Sequence, residues 1–287
     1  SFVSVIGGGL KKKKGQSAVD FSTLPAPAFA SDLAQPWNIL VTGIGGTGVV
    51  TIGALLGMAA HLEGKGVGVL DMAGLAQKGG SVWTHMRFGA STESIAAVRV
   101  APGGADAVMG CDLVVAASGN TLAMTRKGAT RVLLNSQEVM PGAFVQQPDM
   151  EFPANPLVQT VARAVGQENV QVIDAGSLAL ALCGDSIATN LFMLGAAYQR
   201  GLIPVSADAI ERAIDLNGAA VKMNLAAFRW GRRHAVNPQD VVMQAFAGKQ
   251  KAEVVNFAQQ SLETIVERRS QMLTDYQNAA YAQRYRV

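Results

Sequence analysis

Asn38-Ile39-Leu40-Val41-Thr42-Gly43-Ile44-Gly45-Gly46-Thr47-Gly48-Val49-Val50 opens the stretch, running on to Gly89, from which the fold can be read. The apolar run Ile39 to Val41 breaks into a glycine loop, and an apolar pattern at helical spacing follows. Gly43, Gly45 and Gly48 match G-x-G-x-x-G between strand and helix. Glycine there permits the tight turn and lets a pyrophosphate approach the N–H groups of the helix terminus. A second strand, Val67 to Leu70, ends at Asp71, where a nicotinamide-binding fold would place its ribose carboxylate. From Gly43 to Asp71 the spacing exceeds the roughly 20 residues of that fingerprint. Simple close packing of helix on strand is the rival meaning of the same glycines.

A second loop, Gln77-Lys78-Gly79-Gly80-Ser81, leads directly into a strand at 82–88 and does not belong to an ordinary dinucleotide fold. Consecutive glycines beside a lysine offer backbone N–H groups and one point charge to a phosphate. A plain turn with Lys78 in water explains the same residues. Alternation along the strand puts Val82, Thr84, Met86 and Phe88 on one face and Trp83, His85 and Arg87 on the other. A lone strand histidine such as His85 is expected to be a structural hydrogen-bonder.

Only 16% of the 287 residues are charged, against the usual quarter, which favours a subunit that covers its surface with partners. A net charge of +3 gives no argument for nucleic acid. Cys111 and Cys183 lack CxxC spacing, so by themselves they support neither an iron-sulfur cluster nor zinc, and a reducing cytoplasm suits them. The most apolar run, Ile187 to Ala197, contains Thr189 and Asn190 and is too short to cross a bilayer.

Residues 1–36 read as a strand, a lysine run and a Pro/Ser/Ala-rich linker trailing from an upstream module, so the chain is expected to be a piece of a longer polypeptide. Residues 37–204 alternate strands (38–42, 67–71, 82–88, 113–117, 131–135, 170–174) with helices (47–62, 105–109, 120–126, 157–165, 176–184, 188–200). That order predicts an α/β fold with a doubly wound, mainly parallel, Rossmann-like sheet. Residues 205–287 form a C-terminal helical extension, with helices near 219–232, 239–247 and 253–286. Ser206 is placed to cap an earlier helix of this extension that starts near Ala207. Surface loops are expected at Met140-Pro141-Gly142 and Gln147-Pro148-Asp149. No nucleophile has a base beside it in the sequence, and Asp174, Asp185 and Glu138 sit where capping is the default role. The residues give no catalytic centre and no metal site.

Taken together, Gly43 to Val50, Gly74 to Gln77, Gly79-Gly80-Ser81-Val82 and His85 to Gly89 resemble the gamma domain of the 2-oxoacid:ferredoxin oxidoreductases. Gly184 to Gly195, Ala209 to Ile214 and Phe228 to Arg233 extend the likeness toward the C-terminal part of the fused indolepyruvate ferredoxin oxidoreductases. The resemblance implies an enzyme that oxidatively decarboxylates a 2-oxoacid, aryl pyruvates in the indolepyruvate type, using thiamine diphosphate and [4Fe-4S] clusters. Ferredoxin takes the electrons and coenzyme A takes the acyl group. It places thiamine diphosphate and the clusters on other domains or subunits, and leaves this one with coenzyme A binding and assembly, in a cytoplasmic homo-oligomer. By the same resemblance Gly45, Gly46, Thr47 and Gly48 would donate N–H groups to one phosphate. Gln77, Lys78, Gly79, Gly80 and Ser81 would hold another. Lys78 stands where related members often carry arginine, exchanging a bidentate grip for a point charge. The residues alone keep two other readings open: an NAD-dependent dehydrogenase using Gly43 to Asp71, and a scaffold whose loops bind nothing.

Overall fold

Residues 21, 24–74, 80–139, 152–247 and 261–286 are described by the computed structural model. The expected N-terminal strand, the lysine run and the loops at 140–142 and 147–149 lie outside them.

Among the described residues one sheet contains β1 (Trp37–Ile44), β2 (Gly66–Ala73), β3 (Ser81–Gly89), β4 (Ala107–Gly110), β5 (Arg131–Asn135) and β6 (Val170–Ile173). Their spatial order is β2-β3-β1-β4-β5-β6. β1, β4, β5 and β6 run parallel, while β3 lies antiparallel to both β1 and β2. The sheet is therefore mainly parallel, with one reversed strand inserted beside β1. Alternation along each strand divides the core into two layers. Ile39, Val41, Met109, Leu133 and Ile173 face one layer, and Leu40, Val108, Val132 and Leu134 face the other.

The first layer is covered by α1 (Val49–Leu62), α5 (Ala175–Cys183) and α6 (Thr189–Gln199). The second is covered by α2 (Leu113–Ala116) and α4 (Ala154–Val165), with α3 (Gly119–Met124) between them in the chain. Helices on both faces make the fold doubly wound. α6 is buried from Thr189 to Tyr198, so its apolar surface must be covered all round. α8 (Val221–Val236) supplies that cover. A Cβ on Gly195 would stand 1.9 Å from the Phe228 carbonyl oxygen, and one on Gly231 1.9 Å from that of Phe192. Two glycines thus bring the backbones of α6 and α8 together.

Two expectations fail around residue 110. The helix expected at 105–109 is strand β4, and the strand expected at 113–117 is helix α2. The Asp112 side chain accepts from the Val115 N–H at 2.8 Å and caps the helix that begins at Leu113. β4, buried at every position between two parallel neighbours, overrides the helical leaning of Ala105 and Ala107. A single helix over 253–286 is also not found: the described part divides into α10 (Leu262–Tyr276) and α11 (Ala279–Arg286). The Asn278 side chain accepts from the Tyr281 N–H at 2.9 Å and starts a new helix.

The chain forms two compact units, Ser1–Ala247 and Gly248–Val287. In the first, α7 (Ala207–Asn217) begins at Ser206, whose hydroxyl accepts from the Ala209 N–H at 3.1 Å, and α9 (Pro238–Phe246) follows α8. The expected linker runs without helix or strand over 24–36 but is held down. Ala30 N–H donates to the Gly201 carbonyl at 2.9 Å, and Gln199 Nε2 to the Pro25 carbonyl at 2.6 Å.

Candidate ligand-binding site

β1 ends at Ile44, and the chain turns within four residues into α1. Thr47 makes the turn, donating to the Ile44 carbonyl from both its N–H at 3.2 Å and its hydroxyl at 2.7 Å. Gly46 (φ 89°) and Gly48 (φ 95°) adopt left-handed backbone that a side chain would strain. Gly45 donates its N–H to the Gly80 carbonyl at 2.8 Å, so the glycine loop is bonded directly to the residue that precedes β3. Gly80 and Ser81 are thus beside the first loop, as the paired-loop reading requires, while Gln77, Lys78 and Gly79 lie outside the described residues. The N–H groups of Gly45 and Thr47 fold the loop and are not free to hold an anion. This reassigns two of the four donors expected from the sequence.

Gly46 and Gly48, with Val49, Val50 and Thr51 in the first turn of α1, have N–H groups without an acceptor among the described residues. Gly48 caps α1 with no side chain, and no acidic residue stands in the first turn. A helix N-terminus in this state carries an unneutralised partial positive charge. Above it lies a hollow of about 280 Å³ bounded by Gly45, Gly46, Gly48, Val50, Thr51 and Val82.

On its other side Gly46 also borders a crevice of about 380 Å³. The chain leaves β1 for the α1 face and β4 for the α2 face, so this crevice is the switch point where doubly wound sheets bind ligands. Its walls come from Ile44 and Thr47 after β1, Cys111 and Asp112 after β4, Asn135 and Gln137 at the end of β5, and the turn Asp185 to Asn190 before α6. Asn190 Nδ2 donates to the Thr47 carbonyl at 2.8 Å and pins the glycine loop to α6. Asn135 ties these elements together: Nδ2 donates to the Cys111 carbonyl at 3.2 Å, and Oδ1 accepts from Gln137 and Ala175 N–H groups. Burial pushes the Cys111 thiol up to about 12, with Asp112 adding to the rise, so it stays protonated. Burial also raises the Asp112 carboxyl, against the lowering by the Val115 and Val114 N–H groups.

Sequence reading passed over Asp112 and Asn135. The signal for Asp112 was an N-cap ahead of a short apolar run, and for Asn135 a polar residue closing an apolar strand. Asp185 does cap, accepting from the Ile187 N–H at 3.0 Å, but it also borders the crevice.

Asp71 is elsewhere. β3 lies between its strand and β1, which displaces it by about 10 Å from the glycine loop's strand at ordinary strand spacing. Its Oδ1 accepts from the Thr84 hydroxyl at 2.5 Å. His85 is buried, its Nδ1 accepts from the Val100 N–H at 3.2 Å, and burial with the nearby Arg99 charge lowers its pKa. Arg87 donates to Asn38 Oδ1 and the Ala97 carbonyl, both at 2.8 Å, and Trp83 Nε1 to Thr121 Oγ1 at 2.9 Å. That face of β3 is structural. Among the described residues no three His, Cys, Asp or Glu side chains cluster as metal ligands, and no helix is long and apolar enough to cross a membrane.

Comparison with known proteins gives this geometry its context. Indolepyruvate oxidoreductase subunit IorB of Pyrococcus horikoshii is 31% identical over 206 residues, covering 70% of this chain and 96% of the relative. Its counterpart in Thermococcus kodakarensis is 29% identical with the same coverage. Pyruvate oxidoreductase subunit PORC of Thermotoga maritima shares the fold, with a TM-score of 0.50 at 23% identity over 69% of this chain and 96% of that one. The 2-oxoglutarate:ferredoxin oxidoreductase of Magnetococcus marinus, solved with 2-oxoglutarate, coenzyme A and succinyl-CoA bound, also shares it. Its TM-score is 0.50 at 18% identity, over 70% of this chain and 31% of that one. The family model for pyruvate ferredoxin/flavodoxin oxidoreductase matches residues 38–234, a span that contains the sheet from Asn38 onward, both loops and the crevice, and this chain belongs to that family.

Proposed function

We propose that this chain is the gamma-type part of an indolepyruvate (aryl pyruvate) ferredoxin oxidoreductase, and that its glycine loop binds a phosphate of coenzyme A. One observation carries the reading. Five N–H groups, those of Gly46, Gly48, Val49, Val50 and Thr51, have no acceptor among the described residues and meet at a helix end without a side-chain cap or an acidic residue in its first turn. Such an end attracts anions through hydrogen bonds and the helix dipole together. Coenzyme A supplies a pyrophosphate and a ribose phosphate. The likeness to indolepyruvate oxidoreductase subunits points to the substrate class, and the Magnetococcus marinus relative is known with coenzyme A.

In this reading Lys78, with the Gly79-Gly80-Ser81 backbone, adds charge from the second loop. Decarboxylation with thiamine diphosphate and [4Fe-4S] clusters takes place on other subunits or domains, ferredoxin accepts the electrons, and the complex is a cytoplasmic homo-oligomer. Among the described residues of the crevice no nucleophile is paired with a base, which supports a binding role for this chain over a catalytic one. Titrating the assembled enzyme with coenzyme A tests the proposal. Lys78→Ala should raise the coenzyme A requirement several-fold and leave decarboxylation of the 2-oxoacid intact. Unchanged coenzyme A affinity in both Lys78→Ala and a Gly46 substitution would return the loops to a scaffold role. The nicotinamide reading has less support, because Asp71 is held by Thr84 on the far side of β3. NAD-dependent turnover that disappears in Asp71→Ala would revive it.

A further inference from the structure

The hollow over α1 and the switch-point crevice meet at Gly46, yet they offer opposite chemistry. The hollow presents N–H donors. Among the described residues that line the crevice the charged side chains are the carboxylates Asp112 and Asp185, with neither lysine nor arginine. Asp112 is only 3% exposed, and its Oδ1 already accepts from the Val115 N–H. Its Oδ2 is buried with no hydrogen-bond partner among the described residues. Thr42, at the end of the adjoining strand, leaves its hydroxyl oxygen in the same state. A buried acceptor is normally met by a donor, and among the described residues none lies within hydrogen-bond distance of Oδ2.

Phosphate is unsuited to the crevice, since two carboxylates repel it. A neutral group bearing N–H is suited: it meets the unpaired oxygen and can lay its apolar body against Ile44 and Ile187. We infer that the crevice holds an uncharged, N–H-bearing part of the ligand whose phosphate lies over α1, with Asp112 as the acceptor that selects it. The inference rests on the anion-binding reading of the glycine loop. In coenzyme A such N–H groups come from two places, the exocyclic amine of the base and the amides of the pantetheine arm.

Isothermal titration of the intact protein with pyrophosphate, adenosine 3′,5′-bisphosphate and 4′-phosphopantetheine separates these. At least one of the two N–H-bearing probes should bind about tenfold more tightly than pyrophosphate, the scale of one hydrogen bond to a charged group. Asp112→Ser keeps a capping oxygen for Val115 and removes the second oxygen. It should abolish that advantage while leaving pyrophosphate binding unchanged, and the probe that loses affinity identifies the source. Asp112→Asn, which preserves shape and turns an N–H toward the incoming donor, should behave alike if the serine variant unfolds. An advantage that survives both substitutions overturns the inference. So does a wild-type protein that binds all three probes equally, and in either case the phosphate reading stands. Failure of pyrophosphate itself to bind removes both.

Discussion

Glycine does two unrelated jobs in this molecule, and the loop after β1 and the crossing of α6 on α8 show the difference. At Gly46 the backbone is left-handed and a Cβ would meet nothing within 4 Å. At Gly195 and Gly231 the backbone is ordinary helix, and a Cβ would meet a carbonyl oxygen at 1.9 Å. Gly46 leaves space open, and the helix glycines fill it with backbone. A ligand can use the first kind only. The second kind holds the buried helix that carries Asn190, and through Asn190 the loop itself.

The comparison breaks most sharply at the crossing. Gly231→Val forces two backbones apart and should cost at least about 3 kcal/mol, at the upper end of overpacking. Thermal unfolding should show a drop of roughly 6 to 12 °C for a chain of this size. A melting temperature within a degree or two of the parent would mean that α6 and α8 are not in backbone contact.

The same crossing predicts acid sensitivity. His234 on α8 is buried, its ring packs against Phe192 with centroids 5.7 Å apart, and its Nδ1 has no partner among the described residues. Burial, with Arg200 adding repulsion, lowers its pKa from 6.5 to about 4. Between those values the unfolded chain binds a proton that the native chain refuses, so stability falls as pH drops from 6.5 toward 4. The loss at the lower end should reach roughly 2 to 3 kcal/mol. Denaturant titrations across that range should give a shallower slope in His234→Gln, with His85 contributing to what remains. Equal slopes would remove His234 from the account.

At the loop, Gly46→Ala should cost only about 1 kcal/mol, because strain at positive φ is the whole penalty and no clash adds to it. Its effect on coenzyme A binding should be larger than its effect on stability. The reverse ranking would mean that this glycine serves packing.

The loop was readable in the sequence and the crossing was not, for a physical reason. Gly43, Gly45 and Gly48 stand between an apolar run and a helical pattern, so local spacing declares the turn. Gly195 and Gly231 are 36 positions apart, and only the packed pair reveals why each is small. The same limit explains the exchange of β4 and α2. Asp112 as a cap is a local signal, but burial of Ala107 to Gly110 between two parallel strands is a tertiary one, and it outweighed the alanines. The insertion of β3 beside β1 was equally invisible, and it is what parts Asp71 from the glycine loop. The paired loops could be named from sequence, but which of their N–H groups remain free depended on the Gly45 to Gly80 bond.

The smallest change in stability gives the cleanest test of the open space above α1. Val50 is 48% exposed in the first turn of α1, and that turn carries no acidic residue. Glutamate there complements the helix dipole, so Val50→Glu should raise stability by about 0.5 kcal/mol in low salt. The same carboxylate occupies the field that an incoming phosphate would use, and pyrophosphate or coenzyme A affinity should fall about tenfold. Val50→Gln, alike in size and uncharged, should do neither. Stability and binding moving in opposite directions with one charge is the mark of an anion site at a helix end. Were the glutamate variant to gain stability and keep its ligand affinity, the phosphate would have to be held elsewhere, and the N–H groups of Gly46, Gly48, Val49, Val50 and Thr51 would be left to water.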